Sequence, residues 1–442
     1  FSHISTAASA IVPAIGPSNP PFPWRWLNDP AQPKLKTELL ACRPHPLIFS
    51  VYNASVKRNP LIYLDYAATT PLDSRVEEAM LPYGREIFGN PSSQHAAGRK
   101  ARAAIDTARD RVADLLGASS EEIIFTSGGT ESDNLAVKGV ARAMRSRGAH
   151  IVTTAFEHHA VLEPCRALET EGFTVTYLKP NRDGLISPAD VEQAITSDTI
   201  LVSVMYANNE VGTVQPIAEI GYICRTLRVP FHTDAVQAAG ELPLNVSELQ
   251  VDLLSLSAHK LYGPKGAGAL YLRAGARLRA LVDGGGQERS LRAGTENVAG
   301  IVGLSVALEL ARDPAETERL RALRDMLIDG LLAIPGSRLN GSRDARLANN
   351  VNVAFAGITG ETLLLALDLA GIAASTGSAC AAGAVEPSHV LRSMGNTGFT
   401  ALEALRLTLG RFTTEEEIQS AIETITAQVA RLRHHSPPPR NE

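Results

Sequence analysis

Cysteine is scarce: four in 442 residues (Cys42, Cys165, Cys224 and Cys380), with no CxxC pair and no close spacing. That excludes a disulfide-stapled scaffold and a dedicated zinc site, and it suits a reducing cytosol. An excess of one charge is missing as well. Lys+Arg 42 against Asp+Glu 47 leaves a net charge of −5, so no global field holds nucleic acid or an anionic membrane, and any anion must be bound locally. No run of about 18 apolar residues occurs, so no transmembrane helix is expected. What is there, 44% hydrophobic and 20% charged residues, excludes collagen-like, coiled-coil and mostly disordered chains and leaves catalytic or binding work in water.

Residues 1 to about 60 are rich in proline (GPSNPPFPW, DPAQP, RPHP), lack periodicity and hold only two acids, Asp29 and Glu38. This composition reads as a disordered extension. A dispensable tail is favoured over a processed leader or targeting segment, because no apolar signal-peptide core is present and the acids suit a transit peptide poorly. From Leu61 onward apolar runs alternate with helical stretches: IIF at 123–125, IVTT at 151–154, FTVTYL at 173–178, ILVSVM at 200–205, LLSLS at 253–257 and ALYL at 269–272. That alternation predicts an α/β domain with a mostly parallel sheet. A helix is expected over 99–116, with Ala101, Ile105, Ala108, Val112 and Leu115 at helical spacing and Gly117 as its C′ residue. From about 306 the pattern becomes a smaller α+β domain: a helix, the run NNVNVAF at 349–355, another helix, the small-residue loop STGSACAAGA and a final helix. That last helix is expected to open with Thr413 and Glu416 in capping-box spacing and to carry Ile418, Ile422, Ile425, Val429 and Leu432 on one face.

Chemistry gathers at strand ends. TSGGTES at 126–132 follows the IIF run and leads into a helical stretch. A Gly-Gly turn entering a helix offers free N–H groups and a positive dipole end, flanked here by Thr130 and Ser132: a cup for a single phosphate. The spacing is neither the dinucleotide nor the P-loop pattern. Asp234 and Gln237 lie just beyond one apolar run, and Ser257, His259 and Lys260 beyond the next. Ligands of open α/β sheets sit outside the carboxyl ends of the strands, so these groups should converge on one crevice. Asp234 suits a pyridinium nitrogen and Lys260 a Schiff base. With the phosphate cup they supply the three things that pyridoxal phosphate needs.

YLDYAATTPLDSRV, FGNPSSQH, FTSGGTESDNLAVKG, EHHAVLEPC, VMYANNEVGTVQPI, HTDAVQAAG, SLSAHKLYGPKGAGALY, GGGQERSLRAGTENVAG, STGSACAAG, EPSHVLRSMG and LRLTLGRFTTEEEI, in this order, resemble the cysteine desulfurases. These are fold type I pyridoxal phosphate enzymes of the class V aminotransferase group, and the resemblance runs over about 61–435. It implies an α/β fold with a large pyridoxal-phosphate-binding domain, 61–305, built on a mostly parallel seven-stranded sheet. Its first fifteen or so residues would pack with a smaller α+β domain, 306–435, followed by a tail, 436–442.

The resemblance further implies that Lys260 holds the cofactor and moves protons, and that His158 stacks on the ring and assists acid-base steps. His159 is left as an ordinary histidine. Asp234 would pair with the ring nitrogen, Gln237 and Asn209 with the phenolic oxygen or substrate, and Gly129, Thr130, Ser257 and His259 with the phosphate. Thr295 would reach the phosphate of a neighbouring subunit, which implies a homodimer. Cys380 would be the nucleophile that takes sulfur from L-cysteine, leaving a persulfide and releasing alanine. Its setting among small residues is unlike that of a core cysteine, whereas Cys165 and Cys224 sit in apolar helical stretches and are expected to be passive, as is Cys42. Arg406 would bind the substrate carboxylate, a task suited to a guanidinium fork.

The implied function is cysteine desulfuration in the cytoplasm, passing persulfide sulfur to a protein acceptor such as an iron-sulfur scaffold or toward RNA thiolation. No metal of its own, no direct nucleic-acid contact and no membrane partner are expected. A selenocysteine lyase or another β-eliminating relative is the alternative; a scaffold without chemistry is disfavoured because Lys260 and Cys380 are both present. The sequence departs from the family pattern at Ala258, where some members have Gly, and at Ala381, Ala382 and Gly383, where others are hydroxyl-rich. The second departure bears on which acceptor docks there.

Overall fold

The computed structural model describes residues 61–377, 387–396 and 398–435. The expected extension and tail, and with them Cys42 and Cys380, lie outside the described residues. After a two-residue strand β1 (Ile62–Tyr63), seven strands form one sheet: β2 (Ile123–Thr126), β3 (His150–Thr154), β4 (Thr174–Leu178), β5 (Thr199–Ser203), β6 (Phe231–Asp234), β7 (Leu253–Ser257) and β8 (Gly268–Leu272), in the spatial order β2-β8-β7-β6-β5-β3-β4. Neighbours from β7 to β4 pair in parallel, while β8 runs antiparallel to both β7 and β2. The apolar runs are nearly continuous because both faces are covered. Along β2, Ile123 and Phe125 join the cluster on one face, and Ile124 joins the other.

Helices α1 (Ala96–Leu116), α2 (Gly129–Met144), α3 (His159–Thr170), α4 (Ile217–Leu227) and α5 (Val298–Leu310) complete two outer layers. Ile105 and Val112 of α1, Ile220 and Cys224 of α4 and Leu304 of α5 fill the first face; Leu135 and Val140 of α2 with Val161 and Cys165 of α3 fill the second. Helix α1 starts at Ala96 rather than 99, because His95 caps it, its Nδ1 accepting the Gly98 N–H at 3.2 Å. It stops at Gly117, whose φ of +65° is the left-handed conformation that glycine adopts without penalty.

A third cluster lies between α6 (Pro314–Leu332), α7 (Gly360–Leu369), α9 (Glu415–His435) and a three-stranded antiparallel sheet of β9 (Ser337–Leu339), β10 (Asn350–Phe355) and β12 (Ala404–Thr408). A short helix α8 (His389–Ser393) and a two-residue strand β11 (Ile372–Ala373) precede β12. Strand β1 pairs in parallel with β11, and Leu64 lies in this third cluster, so the chain following Leu61 is stitched to the late residues. The boundary expected at 305/306 falls inside α5, which packs on α1. On α9, Ile418, Ile425 and Val429 are fully buried, each such burial contributing roughly 2 kcal/mol. The cap of α9 differs from expectation by one residue. Thr414 and Glu417 form the reciprocal box, Glu417 N–H to Thr414 Oγ1 at 3.2 Å and Thr414 N–H to Glu417 Oε2 at 3.0 Å. Thr413 is buried instead and accepts the Gly410 N–H at 3.0 Å, which closes the turn ahead of the helix.

No helix among the described residues is long and apolar enough to cross a membrane. Among the same residues no group of three or more His, Cys, Asp or Glu side chains could hold a metal ion.

Candidate active site

The carboxyl ends of β2, β6 and β7 open onto a cleft of about 590 Å³ that the late residues Gly377 and Arg406 also line. Its floor at β2 is the start of α2. A side chain at Gly129 would bring a Cβ to 2.7 Å from Val236 Cγ2, so the backbone there has room only for glycine. The first-turn N–H groups of α2 lack helical partners, as at any helix start, and Gly129 and Thr130 line the cleft together with Ser257 and His259. The His259 Nδ1 lies 3.2 Å from Thr69 Oγ1, and burial pushes its pKa down to about 4. The ring is therefore neutral near pH 7.

Asp234 ends β6 with its carboxylate accepting the Val236 N–H at 2.9 Å. Burial, reinforced by the neighbouring Asp133, raises its pKa to about 7. A cation placed against it would hold it ionised. Lys260 lies in the single turn Ala258–Lys260 that follows β7, and its Nζ donates to the carbonyls of Ala67 at 2.5 Å and Ala68 at 2.7 Å. The amine is thus aimed across the cleft. Gln237 donates to the same Ala67 carbonyl at 3.1 Å. Lys265 also lines the cleft, but on the turn after Lys260 rather than directly at a strand end.

His158 caps α3, its Nδ1 accepting the Ala160 N–H at 3.1 Å. Burial, then the nearby Lys260, His159 and His389, lowers its pKa to about 4. With Nδ1 engaged as an acceptor, the neutral ring carries its proton on Nε2. His159 instead lies about half exposed, 3.6 Å from Glu163 on its own helix. Arg406 on β12 is only 4% exposed, not a surface charge. Its Nη1 donates to the Asn209 carbonyl at 3.0 Å and its Nη2 to Asp65 Oδ1 at 2.8 Å, while Nε is buried with no partner.

One cleft thus collects Gly129, Thr130, His158, Asn209, Asp234, Gln237, Ser257, His259, Lys260 and Arg406. Thr295 is exposed and does not line it. Cys380 lies outside the described residues, three positions after Gly377. The remaining described cysteines, Cys165 and Cys224, are fully buried, and burial raises both thiols to about 12.

Three groups escaped the sequence reading. Asp65 holds Arg406. Asp133 lines the cleft at 1% exposure, with His232 at 3.5 Å. Glu157, fully buried, accepts Thr154 Oγ1 at 2.8 Å and the Met205 N–H at 2.9 Å and has its pKa pushed well up by burial. Asp133 was traceable, since it stands four residues after Gly129 and so on the same face of a helix; the pairing of Asp65 with Arg406 spans most of the chain and had no local signal.

A family model for class-V aminotransferases matches residues 62–420. This chain belongs to the class-V aminotransferase family, and within it to the cysteine desulfurases. It is 52% identical over 379 residues to the cysteine desulfurase IscS of Dictyoglomus turgidum, covering 85% of this chain and 96% of that one. It is 54% identical over 381 residues to the cysteine desulfurase IscS of Methanosarcina thermophila, covering 86% and 94%. Among solved structures, a NifS-like protein superposes with a TM-score of 0.79 at 40% identity, over 84% of this chain and 99% of that one. A structure of SspA in complex with cysteine gives 0.72 at 40% identity, over 80% and 100%.

Proposed function

We propose that this enzyme removes sulfur from L-cysteine with pyridoxal phosphate, leaving the sulfur as a persulfide on Cys380 and releasing L-alanine. The convergence of an amine, a buried carboxylate and a helix-start anion cup on one cleft carries this reading. The donor set fits the cofactor: the N–H groups at Gly129 and Thr130 with Ser257 and His259 suit its phosphate, Asp234 its ring nitrogen, Gln237 and Asn209 its phenolic oxygen, and Lys260 a covalent bond through Nζ. When bound, the group would supply an electron-accepting ring that stabilises negative charge developing on the substrate carbon.

The chain's own residues do the rest. Arg406, fixed by Asp65 and the Asn209 carbonyl, orients the substrate carboxylate. Lys260 Nζ, which would hold the cofactor, is the amine placed to take the α-proton and later to return one to carbon. His158, with its proton on Nε2, would lie against the cofactor's ring and serve acid-base steps there. Chain connectivity keeps Cys380 within about 11 Å of Gly377, since three residues span no more than that, and Gly377 is part of the cleft. The Cys380 thiolate attacks the substrate sulfur. A sulfur–sulfur bond forms, the carbon–sulfur bond breaks, and its electron pair stays with the carbon, which takes up a proton to become alanine.

We further read the enzyme as a cytoplasmic homodimer in which Thr295, exposed on its own chain, serves the partner's phosphate site, and the persulfide as passing to a protein acceptor such as an iron-sulfur scaffold or toward RNA thiolation. The test of the main reading is Cys380→Ala. The variant should bind L-cysteine, seen as a shift in the cofactor's absorbance, yet form no persulfide. Alanine production equal to that of the parent would assign the chemistry to direct elimination instead.

A further inference from the structure

One buried hydroxyl brackets Lys260. Thr70 Oγ1 donates to the His259 carbonyl at 3.1 Å, one residue before the lysine, and accepts the Tyr262 N–H at 2.8 Å, two residues after it. The Thr70 N–H donates to the same His259 carbonyl at 3.1 Å. Thr70 is 5% exposed, so water competes little for these bonds. Its neighbours reach the same turn: Lys260 Nζ donates to the Ala67 and Ala68 carbonyls, and His259 Nδ1 lies 3.2 Å from Thr69 Oγ1. The segment 67–70 therefore holds the lysine by its head and by its backbone at once.

The turn is strained where the hydroxyl meets it. Tyr262 has a φ of +62°, in the left-handed region that a bulky aromatic residue seldom occupies. Strain of this kind persists only where surrounding contacts over-determine it. Two distant stretches supply them on the far side of the tyrosine. Its carbonyl accepts the Asp73 N–H at 3.0 Å, its Oη accepts the Arg411 N–H at 2.6 Å, and the Arg411 guanidinium lies 4.4 Å from its ring centroid. Inside the turn, the Leu261 and Gly263 N–H groups both return to the Ala258 carbonyl, at 2.9 and 3.0 Å, while the Tyr262 N–H between them goes to the Thr70 hydroxyl. Removing that hydroxyl would leave the N–H without its partner and let the strained residue relax, and Lys260, two residues earlier, would move with the backbone.

We propose that Thr70 is a positioning residue for Lys260, its hydroxyl fixing the strained turn so that the amine meets the cofactor and the substrate's α-carbon in register. This rests on the proposed role of Lys260. Thr70 does not line the cleft, and its side chain bonds only to backbone on either side of the lysine. A misaligned amine loses rate in both of its tasks, bonding the cofactor and moving the α-proton. Substrate binding changes little, because Arg406 stands apart on β12.

The test compares Thr70→Val, which removes the hydroxyl at nearly constant volume, with Thr70→Ser, which keeps it, in the full-length chain. The first measurement is the rate at which pyridoxal phosphate, added back after its removal, becomes attached to Lys260, trapped with borohydride and located by peptide mapping. The second, on the loaded enzyme, is kcat and KM for L-cysteine with the isotope effect of α-deuterated substrate. In Thr70→Val attachment and kcat should each fall about tenfold or more, with KM within about twofold of the parent and a larger isotope effect, because proton removal has become the slower step. Thr70→Ser should recover most of both rates. Parental rates in Thr70→Val, or an equal loss in Thr70→Ser, would overturn the proposal. So would a lower kcat with attachment and isotope effect unchanged, which a general loosening of the fold would give. If Thr70→Val does not fold, Thr70→Ala takes its place, and failure of both to fold would make the hydroxyl a requirement of folding and overturn the proposal. A parent whose trapped cofactor sits on another lysine would refute the role of Lys260 and this proposal with it, whereas parental trapping on Lys260 with an unaffected Thr70→Val would refute this proposal alone.

Discussion

Removing the Arg406 guanidinium should weaken L-cysteine binding by an amount set largely by what it leaves behind. In the folded chain the guanidinium ties Asp65 on one side, at 2.8 Å, and the Asn209 carbonyl on the other, at 3.0 Å. A charge-assisted hydrogen bond to the substrate carboxylate contributes about 2–3 kcal/mol, which is about 30- to 150-fold in KM. Arg406→Ala also leaves Asp65 as an uncompensated negative charge beside the place meant for another carboxylate. Asp65 keeps 21% of its side chain exposed, so water screens it in part; the repulsion is roughly 1 kcal/mol. Arg406→Ala should therefore raise KM toward the upper end of that range. The double variant Arg406→Ala with Asp65→Asn should regain about fivefold of it. The assay is initial-rate alanine release over a range of L-cysteine, with cofactor content measured in each variant to separate substrate binding from loss of the site. A KM within twofold of the parent in Arg406→Ala, or a double variant no better than the single one, would refute the placement of the substrate carboxylate at this guanidinium.

Lys260→Ala should lose both the visible absorbance of the loaded protein and turnover, although Lys265 lines the same cleft; retention of colour and full activity would transfer the covalent role to Lys265. Cys165 and Cys224 should resist alkylation in the native protein at pH 8 by roughly a thousandfold relative to an unperturbed thiol. Their thiols titrate near 12, so the reactive thiolate is the minor form and its fraction rises about tenfold per pH unit below that value; rapid labelling of either would show that the helices around it open readily. Mixing Lys260→Ala with a variant multiply substituted around Thr295 should restore part of the activity after subunit exchange, since one site of each mixed dimer keeps an intact lysine and an intact donated loop. No recovery despite proven exchange would confine the site to one chain.

Much was settled by local sequence. LLSLS occupies β7 residue for residue, Gly117 ends α1, and the period-3.6 stripe of Ile418, Ile425 and Val429 is the buried face of α9. These depend on neighbours a few positions away, and sterics and hydrophobic periodicity write them into the chain directly. The strand-end rule likewise brings Asp234, Ser257, His259 and Lys260 to one crevice from sequence alone. Cap registry is also local, yet TT at 413–414 offers two hydroxyls one residue apart and EEE at 415–417 three acids; the tertiary demand of the Gly410 turn for Thr413 chose Thr414 as the cap. The short strands β1 and β11 could not be read at all, because two residues have no period of their own and exist as strands only by pairing across about three hundred positions. The same holds for the charges. Sequence named Arg406, but only folding set Asp65 against it and drew Asp133 up behind Asp234. Residue type determines what chemistry is on offer; which acid meets which base, and how much water is left between them, follows from long-range packing.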